Sequence, residues 1–247
     1  MERKHFFKSG LAALGLMTLA PLVNSCKKDT EELTTSTGTG TTTTSGSTTT
    51  TTGSCSVAPT ETEGPFPTKT PSSLVTNDIR SDRTGVPFTI KITINNKNSS
   101  CAALSGALVD IWHCDKDGNY SEYGGTGMQS TNYTSVHFLR GRQTTDSNGL
   151  VTFTSVFPGW YSGRAPHIHV HVYNASGKSL VVTQIAFPTD VCNTVYTTAT
   201  NYYTKGKQDT SNASDNVFSD SLASELASVT GSVSAGYTLT HVITVAA

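Results

Sequence analysis

"PFTIKITINN", residues 87–96, alternates without a break: Phe88, Ile90, Ile92 and Ile94 fall on one side, Thr89, Lys91 and Thr93 on the other. Side chains two apart in an extended chain share a face, so the stretch reads as a strand with one buried and one wet face. Five further stretches alternate or are rich in β-branched residues: "GALVDIWH" (106–113), "GLVTFTSVF" (149–157), "HIHVHVYN" (167–174), "KSLVVTQIAF" (178–187) and "AGYTLTHVITV" (235–245). Turn-forming clusters lie between them, "DKDG" (115–118), "DSNG" (146–149) and "NASG" (174–177). Short strands punctuated in this way define an all-β chain, a single β-sandwich-like domain with long loops and at most one or two short helices. A helix is expected only at "DSLASELASV" (220–229), where Leu222, Leu226 and Val229 have helical spacing.

The first 54 residues do not fit this pattern. A basic start, an apolar run from Leu11 to Val23 and a small residue before Cys26 read as an export signal, too short and Gly/Ala-rich for a spanning helix. "VNSC" (23–26) resembles a bacterial lipobox, which implies a lipid on Cys26 and membrane attachment. "RKHFFK" (3–8) resembles a twin-arginine signal with Lys4 in place of the second arginine, so the export route stays open. Residues 34–54 are only Thr, Ser and Gly, a composition that cannot offset its own chain entropy. The expected plan is a signal over 1–26, a tether over 27–54 spanning about 25 Å in its Thr-rich part, and a folded body over 55–247. The net charge of −1, with no basic cluster after the signal, argues against nucleic acid as a partner. With Cys26 lipidated, Cys55, Cys101, Cys114 and Cys192 remain, and export suggests two disulfides. Of the three pairings, Cys101–Cys114 is disfavoured if the strand between them is continuous.

"HIHVHV" (167–172) sets three of the chain's seven histidines on one strand face. Two imidazoles so spaced can reach one ion together. Tyr161 and Arg164 stand just upstream, across "PGWYSGR", and Tyr120 ends the "WHCDKDGNY" turn after another strand. Phenolate is a hard anionic donor, and with imidazole it favours a trivalent ion such as Fe(III). A third ligand at His171 would stretch past one ion, so His171 reads as structural or pocket-lining. His113 and His137 read as packing or hydrogen-bonding residues.

"TEGPFP" (62–67), "GALVDIWHCDKDGNYS" (106–121), "FLRGRQTTDSNGLVTFTSVFPGWYSGRAPHIHVHV" (138–172) and "TQIAF" (183–187), in this order, resemble the intradiol ring-cleavage dioxygenases. The likeness is to the protocatechuate, hydroxyquinol and catechol dioxygenase type of core, here in an exported form. It implies a non-haem Fe(III) held by Tyr120, Tyr161, His167 and His169. Arg164 falls on the active-site arginine and Gln184 on a glutamine near the iron. Gly64 and Pro65 match the segment lining the substrate pocket, and Trp160 is placed to shape it. The implied substrates are a catechol-type aromatic and O2, and the product a muconate-type dicarboxylate. Tyr161 would serve first as ligand and then as base. Two other readings remain beside this one: an exported β-sandwich binding module without catalysis, and a zinc or copper site on His167, His169 and His171. Neither the substituents of the ring nor an oligomeric state is legible.

Overall fold

The computed structural model describes residues 55–125 and 127–247; the expected signal, Cys26 and tether lie outside them. Among the described residues nine strands run in chain order as β1 (Pro87–Asn96), β2 (Ala102–Ala103), β3 (Leu108–Trp112), β4 (Arg140–Thr144), β5 (Leu150–Val156), β6 (His167–Tyr173), β7 (Ser179–Ala186), β8 (Ser228–Ser232) and β9 (Gly236–Val245). All six expected strands are present. They form two sheets. In one, β1 has β5 and the short β2 along one edge and β9, then β8, on the other; β1 and β9 run parallel. The other is ordered β4-β3-β6-β7, each neighbour antiparallel.

The alternation explains how the sheets meet. Phe88, Ile90, Ile92 and Ile94 of β1 face Val109 and Ile111 of β3, Ile168, Val170 and Val172 of β6, and Ile185 of β7 in one buried apolar cluster. The three expected turns close by hydrogen bonds from Gly118, Gly149 and Gly177 to the residue three before each. Each of these glycines has positive φ, the conformation that the turns require and that L side chains resist.

Helices depart from expectation. The segment at 220–229 holds one turn only, α2 (Leu222–Glu225). The chain then leaves the helix because Ala227 N–H donates to Ala186 O of β7, and Val229 enters β8. A longer helix, α1 (Thr189–Thr198), follows β7 and buries Cys192, Val195 and Tyr196. Its β-branched composition masks that helical spacing.

The two expected disulfides reduce to one among the described residues. Cys55 and Cys101 are bonded, their α-carbons 5.9 Å apart, while Cys114 and Cys192 are free and buried. Cys114 packs with Phe66, Trp112 and Tyr120, and Cys192 lies in the main core, so both serve as small apolar side chains. No described helix is long and apolar enough to cross a membrane.

Candidate metal centre and active site

The site is built on the face of the β4-β3-β6-β7 sheet that points away from the main core. The strand register sets Arg140 opposite Trp112, Trp112 opposite His169, and His169 opposite Gln184. Four strands thus lay one row of polar and aromatic groups across the sheet, with His167 one step along β6.

Two loops bring the tyrosines to this row. Tyr120 ends the turn after β3. That turn is ordered by the buried Asp115 carboxylate, which accepts from the N–H groups of Asp117 and Asn119. Tyr161 sits in the loop before β6, and Gly159 N–H donates to Asp115 O, so the two loops abut. A methyl group at Gly159 would lie 2.4 Å from Lys116 O, and one at Gly118 2.3 Å from Trp160 O. Only glycine permits this approach.

The four expected donors converge. His167 Nε2 lies 3.3 Å from Tyr120 Oη, 3.2 Å from Tyr161 Oη and 3.1 Å from His169 Nε2. His167 Nδ1 is 2.6 Å from Ala165 O, which can only accept, so the proton is on Nδ1 and Nε2 carries the lone pair. One lone pair cannot satisfy three neighbours. His169 presents Nε2 to the same cluster, and its Nδ1 has no hydrogen-bond partner among the described residues, so no second contact fixes its tautomer. Donors sharing one first-row metal at about 2.1 Å and at right to tetrahedral angles stand about 3.0–3.4 Å apart. The residues therefore fit a single metal ion of the kind that the donor chemistry suggests.

Burial sets the protonation of this cluster. It pushes His167 down to about 3, and His169 well below its ordinary value, so both imidazoles are neutral bases at physiological pH. It raises Tyr161 to about 12 and lifts Tyr120 well above a free phenol. Only a strong positive charge held at the cluster would ionise both phenols near neutrality.

The surrounding side chains hold the donors in place. Trp112 stacks on His169 with ring centres 4.9 Å apart and planes within 2° of parallel. On the strap crossing the site, residues 61–69, Gly64 approaches the same imidazole so closely that a methyl would meet His169 Cε1 at 3.0 Å. Phe66 stacks on Tyr120 at 4.9 Å. The Gln129 amide brackets Tyr120, accepting from its N–H at 2.6 Å and donating to its carbonyl at 2.8 Å. Arg140, fully buried, donates to Phe66 O and Thr68 Oγ1 on the strap and to Ser121 O beyond Tyr120.

Arg164 lies beside the cluster, its Nη2 donating to Gln184 Oε1 at 2.7 Å, and Gln184 Nε2 donates to Thr62 O on the strap. Pro65 is exposed next to Gly64. Trp160 is half-buried; its indole N–H donates to Gly206 O and Lys205 lies over its ring, so its polar contacts run away from the donors. His171 is not a member of the cluster. Its Nδ1 is 2.8 Å from Tyr173 Oη and 3.2 Å from Glu63 Oε1, which anchors the strap. His113 bonds Ser155 and Cys114 O, and His137 pairs with Glu122. Gln129, Arg140 and Asp215 escaped the sequence reading, as did the stacking of Trp112 on His169. Only strand register and loop packing bring these four to the donors.

Comparison with known proteins identifies the family. The model of the dioxygenase family matches residues 62–219. A chlorocatechol 1,2-dioxygenase of Rhodococcus opacus is 28% identical over 145 residues, 51% of this chain and 52% of that protein. This chain thus matches about half the length of that curated relative. An intradiol ring-cleavage dioxygenase from Tetranychus urticae superposes with a TM-score of 0.66 at 27% identity, covering 77% of this chain and 94% of that one. The dioxygenase domain of a dioxygenase–carbohydrate-binding fusion from Streptomyces sp. SirexAA-E gives 0.55 at 26% identity, covering 76% and 97%. The chain belongs to the intradiol ring-cleavage dioxygenase family.

Proposed function

We propose that the protein cleaves a catechol-type ring between its two hydroxylated carbons with O2, using a non-haem Fe(III) held by Tyr120, Tyr161, His167 and His169. The observation that carries this reading is the convergence of two phenol oxygens and two imidazole nitrogens on one point. Bound there, Fe(III) supplies a Lewis acid that chelates and acidifies the ring hydroxyls and activates the ring toward O2.

The chain's own residues do the rest. Tyr120 is fully buried and pinned by Phe66 and Gln129, so it is the fixed phenol. Tyr161 is only partly buried, and it is the donor with room to turn away and hold a proton taken from a substrate hydroxyl at Oη. Arg164 offers a fixed cation to negative charge developing on the ring. Gln184 couples that arginine to the strap, and Gly64 lets the strap pack against the His169 imidazole.

The test is O2 uptake by the iron-loaded protein with catechol, using isotopically labelled O2. A muconate-type diacid carrying both labelled oxygens is expected; no uptake, or a semialdehyde product, would contradict the reading. Attachment to a membrane through Cys26 belongs to the same proposal, supported by the "VNSC" stretch. Mass spectrometry should find a lipid on Cys26, and Cys26→Ser should move the protein to the soluble fraction. An unlipidated native Cys26 refutes the anchor.

A further inference from the structure

Arg164 is held by more than Gln184. Its Nε donates to both oxygens of Asp215, at 2.8 and 3.0 Å, and Asp215 is completely buried. The same carboxylate accepts from Val217 N–H at 2.9 Å and from Ala165 N–H at 2.7 Å. The carbonyl of Ala165 in turn takes the Nδ1 proton of His167. One carboxylate therefore fixes the arginine and the peptide that orients a metal-ligating imidazole. Phe218, fully buried, lies 5.8 Å from the guanidinium and 6.4 Å from the His167 ring, which closes this side.

With Nε committed to Asp215 and Nη2 to Gln184, Nη1 is the edge of Arg164 with no protein hydrogen bond among the described residues. A guanidinium is a planar fork, so fixing two of its nitrogens fixes the direction of the third. We infer that Asp215 is a positioning residue that aims the free edge of Arg164 at the reacting ring. It rests on the ring-cleavage reading above. Asp215 touches neither substrate nor metal, and an Asn at this position keeps one oxygen to accept from Ala165 N–H, so the effect of that change on turnover passes through Arg164.

The test is a double-mutant cycle on the iron-loaded full chain with Asp215→Asn and Arg164→Gln. Asp215→Asn should keep its iron and bind catechol within about threefold of wild type, and lose roughly 30–100-fold in kcat, the scale of a misplaced group. In the Arg164→Gln background the same change should cost under about threefold, because its route of action is already gone. Equal losses in both backgrounds would show a structural role and overturn the inference. Should Asp215→Asn fail to fold, Asp215→Glu decides. It keeps the charge and shifts it by one methylene, so kcat should fall at least about tenfold with KM little changed, and a wild-type kcat overturns the inference. A wild-type protein that consumes no O2 with catechol overturns the functional reading and this inference with it. An active wild type whose Asp215→Asn variant keeps its kcat overturns this inference alone.

Discussion

Strands β1 and β6 alternate equally well in sequence, yet they meet different surroundings. The second face of β1 stays wet: Lys91 is exposed, Thr89 and Thr93 are half-buried, and a hollow of about 390 Å³ with a single imidazole, His241, lies over it. The second face of β6 is covered. His167 and His169 are buried there as fully as the valines that face the core. A buried polar face must find partners for its atoms, and most of this one does, through Ala165 O, Ser179, Tyr173 and Glu63. The exceptions are informative. Trp112 Nε1 and His169 Nδ1, on two stacked rings, have none among the described residues. Alternation marks a strand, and burial of the polar half of the alternation marks where the chemistry sits.

The contrast can be broken at either strand. The largest effect belongs to β6: His169→Ala should cost more iron affinity than the roughly 10–100-fold typical of losing an outer partner, and activity should fall with it. Its counterpart on the wet face, Lys91→Ala, should change neither iron content nor stability by more than about 0.5 kcal/mol. Metal analysis and urea unfolding of the two variants make the comparison, and equal effects would dissolve it. On the shared inner face, Ile92→Ala should cost about 2–5 kcal/mol in denaturant unfolding. Folded molecules of that variant should keep their iron.

Trp112 sharpens the contrast. Trp112→Leu removes the ring stacked on His169 and should weaken iron binding roughly tenfold in chelator competition, whereas Trp112→Phe retains most of the affinity. Equal affinity in both variants would make the stack irrelevant.

The smallest effect lies outside both strands. Glu225 is buried, and desolvation, with Glu61, Asp220 and Asp215 nearby, raises its carboxyl to about 7 from 4.5. Stability from its protonated form is complete below 4.5 and is lost as pH rises through about 7. Glu225→Gln should therefore flatten the decline of Tm between about pH 5 and 8. An unchanged profile would place the titration elsewhere.

Much of this is legible in the sequence. Each β1-like run marks a strand, and the family resemblance, more than the His-x-His spacing itself, picks out the four side chains that converge. Strand β4 was hidden because "RGRQT" inverts the usual code. Arg140 and Arg142 point to the buried polar face, and Gly141 faces the core, where a methyl would meet Ile79 at 2.5 Å. Helix α1 was hidden by threonines and valines that suit strands better. Cysteine parity misled, since two of the four thiols simply fill core space. Gln129 and Asp215 act on the site from loops whose approach no local pattern encodes.

The central claim is that Tyr120 and Tyr161 bind Fe(III) together with His167 and His169. The most direct measurement is the visible absorption spectrum of the iron-loaded protein, before and after anaerobic addition of catechol. The account predicts a red-brown tyrosinate-to-Fe(III) band that shifts when catechol binds. A protein that stays colourless after Fe(III) loading would contradict it.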